Sequence, residues 1–199
     1  RDDYQDLARD MLGLPHIGFE AKRDERHAGL DVVIGTGWAQ ITNEKSLKAQ
    51  GKNGVAGGLY VTEADLADVD ASRSGAYRIV HTRAAKEGGP LLRAAAEAAA
   101  ANGERLLGLF GSKVLNHLPY RTADGKFDPA PDLDGKAEQY TPAELAEQPT
   151  LADMTAAALT VLGSKPGQPF ALFVEAGDVD FALHKNNLDN AVGAVYSGE

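Results

Sequence analysis

Apolar positions change period several times along the chain, and each change marks an element. In DDYQDLARDMLGLP (2–15), the apolar residues Tyr4, Leu7, Met11 and Leu12 recur at helical spacing, with Gly13 and Pro15 as stop signals. GLDVVIGTG sets Val32, Val33 and Ile34 between glycines, which predicts a short buried strand running into a turn. YRIVHT (77–82) and RLLGLF (105–110) are two further strand-like runs. PLLRAAAEAAAANG between them predicts a helix, because alanine carries the highest helix propensity. Pro90 suits its first turn and Asn102-Gly103 its end.

From Gly111 to Pro149 the periodicity dissolves into Pro, Gly, Asp and Lys, so 111–149 reads as a long irregular loop or insertion. Thr150 opens TLADMTAAALTVLG, with Asp153 three residues on as in a capping box. Leu151, Met154, Ala158 and Leu162 share one face of that helix, and Gly163 and Pro166 end it. PFALFVE (169–175) is apolar on both alternating faces, as a central parallel strand requires. Strands alternating with helices predict an α/β fold, a mainly parallel sheet with helices on its faces, within one domain or domain fragment over 1–199.

Ligands of such sheets bind at the carboxyl ends of the strands, where Glu175 would stand. Asp180 and His184 follow four residues apart, so a helical turn places both on one face. A carboxylate with an imidazole suits zinc or a similar divalent ion. The spacing equally permits a plain reading: Asp180 caps a helix starting near residue 181, and His184 lies in its first turn.

Composition narrows the partners. A net charge of −9 and a pI near 5.0, with no Lys/Arg-rich block, exclude general nucleic-acid binding. No apolar run is long enough for a membrane span, and no basic-then-apolar leader follows Arg1. The chain has no cysteine, so any metal is held by oxygen and imidazole nitrogen. Gly35 and Gly37 lack the third glycine of a phosphate-cradling loop and read as a turn, with Trp38 a half-buried anchor. Asp124, Asp128, Asp132 and Asp134 lack the order and terminal glutamate of a calcium loop. His16, His27, His81 and His117 have no partner spacing and read as structural or solvated.

Over nearly its whole length, and in matching order, the chain resembles the alkaline phosphatase family. The stretch PTLADMTAAALTVLGSKPGQPFALFVEAGDVDFALHKNNLDNAVGAV is similar to the family's helix-to-strand segment ending in V-E-[GA]-x-x-[VI]-D-x-x-x-H. LDVVIGTG, AYRIVHTRAA and LLGLFGSKVLNHLPY resemble its preceding strands, and RDDYQDLARDML the segment after its active-site arginine. The resemblance implies hydrolysis of phosphate monoesters at a site of two zinc ions and one magnesium. It assigns Glu175 to magnesium, Asp180 and His184 to one zinc, and Arg1 to the grip on phosphate oxygens. Asp178 receives no role and reads as a solvated turn residue. Phe181 stands where many relatives carry histidine or lysine and some tryptophan.

The family's nucleophile is a serine directly after an aspartate, and its zinc sites are completed by an Asp-His pair and a further histidine. Neither Asp-Ser nor Asp-His occurs here. The expectation is therefore a central portion of an alkaline phosphatase, inactive alone, with incomplete zinc and magnesium sites. The resemblance further implies a periplasmic or secreted location, phosphate monoesters as small-molecule partners and a homodimer as the candidate assembly. The rival expectation is a non-catalytic α/β binding or structural domain on the same scaffold.

Overall fold

A computed structural model of the chain describes residues 4–16, 28–36, 61–83, 85–111, 117–127, 131, 135 and 137–198. Helix α1 spans Tyr4–Leu12 and strand β1 Val32–Thr36; α2 is Glu63–Val69 and β2 Tyr77–His81. Helix α3 (Gly88–Asn102) leads to β3 (Arg105–Phe110), and α4 (Pro142–Ala146) precedes α5 (Leu151–Leu162). Helices α6 (Asp178–His184) and α7 (Leu188–Gly198) close the order.

The described strands form one parallel sheet of three, in the order β1-β3-β2. Val32 pairs with Leu106 on one side, and Arg78 with Leu106 on the other. A central parallel strand must bury both faces, and β3 does so by alternation. Leu106 and Phe110 enter a core with Leu92, Ala96, Ala99, Met154, Ala157 and Val161. Leu107 faces the opposite core, with Leu12, Leu66, Val69 and Tyr77. The sheet is thus covered by α3 and α5 on one face and by α1 and α2 on the other, which is the α/β layering the periodicity predicts.

Local signals act where the sequence places them. Thr150 accepts from the Asp153 N–H while the Asp153 carboxylate accepts from the Thr150 N–H, closing the capping box of α5. Thr62 and Asp65 cap α2 in the same way, a signal in VTEADL that periodicity alone passes over. Asp65 also takes the Arg9 guanidinium of α1 at 2.6 Å, tying the two helices together. Gly103 ends α3 at φ +66°, a conformation that glycine adopts without steric penalty.

One expected element is absent. Residues 168–176 carry no strand assignment, and Phe173 is 87% exposed. Residues Val32–Thr36 of β1 and 172–176 line a common open cavity of about 940 Å³ rather than pairing with each other. An apolar run on both faces predicts a central buried strand here, but among the described residues no backbone ladder reaches it.

Candidate metal-ligand helix and its surroundings

Helix α6 starts earlier than its sequence implies. Gly177 is the N-cap, so Asp178 and Asp180 both lie in the first turn and Asp180 is not a cap. Two acidic groups there oppose the positive end of the helix dipole, and His184 occupies its last turn. Asn186, at φ +50°, turns the chain into α7, whose start is held by Asn187 Oδ1 accepting the Asn190 N–H at 3.1 Å. The two helices pack against each other.

Asp180 and His184 share one face, as their spacing predicts. His184 Nε2 lies 3.5 Å from Asp180 Oδ2, and their side chains are 77% and 72% exposed. The Glu175 carboxyl carbon lies 3.9 Å from where a Cβ on Gly177 would stand, so this side chain bends back over the entry to α6. Glu175, Asp178, Phe181 and His117 all line the cavity beside β1. Among the described residues, no three His, Asp or Glu side chains converge as a metal-holding group. Arg1, the second glycine Gly37, Trp38 and His27 lie outside the described residues.

Asp178 is not the solvated turn residue that the sequence suggests. Burial pushes its carboxyl up to about 6, only partly offset by His117 and by the backbone N–H of Leu118, with Glu138 pushing the same way as burial. The polar groups that act on it, His117, Leu118 and Glu138, lie far from it in sequence.

That stretch contributes a second constellation that spacing did not reveal. His117 is 8% exposed and directs Nε2 at Glu138 Oε1 (3.2 Å) and Nδ1 at the Leu118 carbonyl (2.6 Å). Lys185 Nζ donates to the same Glu138 oxygen at 2.9 Å, and the Tyr140 hydroxyl donates to Oε2 at 2.7 Å. Burial raises the Glu138 carboxyl, but the hydrogen bonds from His117, Lys185 and Tyr140 win and hold it at about 2. The Tyr120 ring stacks on His117 at 4.0 Å, and burial raises its hydroxyl, which has no hydrogen-bond partner among the described residues. His117 and His16 are therefore structural, as expected; His16 Nε2 pairs with Asp10 at 2.5 Å. Asp124 is spent locally, accepting from Thr122 Oγ1 at 2.6 Å and the Lys126 N–H at 3.1 Å to close a turn.

Among the described residues, no helix is long and apolar enough to cross a membrane. No curated protein and no solved structure matches the chain. A family model described as Alkaline phosphatase matches residues 20–197, which takes in both sheet and helical hairpin. With the parallel sheet, the layered helices and this match over most of its length, the chain belongs to the alkaline phosphatase family.

Proposed function

We propose that this chain supplies one side of a phosphate-monoester-hydrolysing centre. Helix α6 would present Asp180 and His184 to one zinc, Glu175 would serve magnesium, and Arg1 would grip the phosphate. The observation that carries this reading is the exposed Asp180–His184 pair on one face of α6, with Glu175 bent over the helix entry. The donor chemistry fits: a carboxylate oxygen and an imidazole nitrogen suit zinc, and a further carboxylate suits magnesium. The number of donors fits only in part, because a catalytic zinc takes about three protein ligands and α6 offers two.

The chemistry supplied by divalent metals in such a site is Lewis-acid stabilisation of the attacking and leaving oxygens. The chain's own residues do the holding. Asp180 and His184, one turn apart, offer two donors to one ion without a rearrangement of the helix. The planar guanidinium of Arg1 can donate two parallel hydrogen bonds to a phosphoryl group. Phosphate monoesters are the substrates this reading implies, and a periplasmic or secreted setting and a homodimer go with it.

Without an Asp-Ser pair the chain lacks the family's nucleophile, so we expect no hydrolysis of a chromogenic phosphate monoester by the 199-residue chain. Turnover that copurifies with it through successive columns would overturn the assignment. Zinc should bind weakly in equilibrium dialysis and lose its effect on the His184 ring resonances in Asp180→Asn. One tightly held zinc per chain, indifferent to Asp180→Asn and His184→Gln, would place the metal elsewhere.

A further inference from the structure

Helix α6 has little apolar anchorage of its own. Ala182 is its one fully buried residue, whereas Phe181 and Leu183 are 47% and 55% exposed. A short helix with so small an apolar contact is marginal unless other groups fix it. Besides α7, which packs against it, the groups that do so come from one distant segment, and they are spread over the helix's length.

At its start, the Leu118 N–H donates to the Asp178 carboxylate. In its middle, the Phe181 ring lies 6.0 Å from that of His117. At its end, Lys185 Nζ reaches Glu138 Oε1 at 2.9 Å, the oxygen that also faces His117. Asp178, Phe181 and Lys185 follow i, i+3, i+7 spacing and so share one face. Asp180 and His184 share another, roughly 110–140° away at 100° per residue. One face of α6 is gripped, and the other is left free.

The same segment grips α7. The Ala123 N–H donates to Asp189 Oδ1 at 2.9 Å, and the Arg121–Thr122 backbone lies directly on Gly193. Glu138 is in turn steadied by Tyr140, whose hydroxyl also accepts the Tyr120 N–H at 3.0 Å.

We propose that residues 117–123 and 138–140 act as a positioning clamp for α6, in which His117, Glu138 and Lys185 hold the helix so that its Asp180–His184 face keeps one orientation. The clamp rests on the metal-ligand reading for its purpose, but its existence is tested without any metal. Hydrogen exchange of the chain, followed amide by amide, reads the fixation of α6 directly. Lys185→Met and Glu138→Gln should each raise exchange of the Phe181, Lys185 and Asn187 amides about tenfold, leaving α3 and β3 unchanged. Lys185→Arg keeps a donor to Glu138 and should restore protection. Unaltered α6 exchange in both Lys185→Met and Glu138→Gln would overturn the clamp. So would equal loosening of α3 and β3, or failure of Lys185→Arg to rescue. Adding zinc to the unsubstituted chain gives the separate test: if no resonance of Asp180 or His184 moves while Lys185→Met still loosens α6, the metal reading fails and the clamp stands.

Discussion

Gly193→Ala tests the docking of the 117–127 segment on α7, because two effects of opposite sign compete there. Gly193 lies in the interior of α7 and is buried. Replacing a helix-interior glycine with alanine ordinarily stabilises by about 1 kcal/mol. Here an added Cβ would stand 2.2 Å from the Arg121 carbonyl oxygen and 2.4 Å from its carbon, both backbone atoms. Carbon–oxygen contacts settle at about 3.3 Å or more, so the loop must retreat by roughly 1 Å. Overpacking of this kind costs about 1–3 kcal/mol. The retreat also strains the hydrogen bond from the Ala123 N–H to Asp189, worth about 1 kcal/mol. The costs exceed the propensity gain, and the expected outcome is a net loss of about 1–3 kcal/mol. Urea unfolding of the two proteins reads it as a lower midpoint at constant slope. A midpoint that rises would mean that propensity acts alone and that the 121–122 backbone does not rest on this helix.

Three further substitutions address the sheet, the exposed segment and the acid face. Leu106→Ala removes a fully buried side chain from the central strand and should cost about 2–5 kcal/mol by urea unfolding; a loss under about 1 kcal/mol would contradict its place in the core. Phe173→Asp should change stability by no more than about 0.5 kcal/mol, since the side chain is 87% exposed, whereas a charge forced into a buried strand would cost several times more. Glu138 is held at about 2 against an ordinary 4.5, so its contribution is present above about pH 4.5 and is lost as pH falls toward 2. That difference has a ceiling near 3 kcal/mol, which solvent screening of this half-buried group reduces to about 1–2. The gap in urea midpoint between the chain and Glu138→Gln should narrow from about pH 6 to about pH 3; a gap that stays constant would show that the carboxylate's charge is not what the network uses.

How far the sequence could be read depended on the range of each interaction. Helix caps and stops act over three or four residues, so Thr150–Asp153, Gly103 and Gly13 could be placed from local text. The continuous apolar run of RLLGLF likewise announces a strand buried on both faces. The i, i+4 spacing of Asp180 and His184 needed only a helix beneath it, and α6 supplies one. Glu138 was invisible for the opposite reason. Its partners His117 and Lys185 lie 21 and 47 residues away, and no periodic pattern connects them. The setting of Asp178 is illegible for the same cause, because His117, Leu118 and Glu138, which act on its carboxyl, are far from it in sequence.

The 168–176 segment separates two things that a hydrophobic pattern conflates. Side-chain alternation states which faces seek burial; a strand also needs a neighbour's N–H and C=O groups in register. Leu172, Phe173 and Val174 have the first property, and among the described residues they lack the second. β1 shows the same imbalance from the other side: it pairs with β3 along one edge, and all five of its residues remain only half-buried. Both stretches line the same cavity of about 940 Å³. Glu175 and the entry to α6 lie on the rim of that cavity. The face that carries Asp180 and His184 can therefore be oriented by contacts from His117, Leu118 and Glu138 even though 168–176 joins no ladder, because α6 is held from its other face rather than from the sheet.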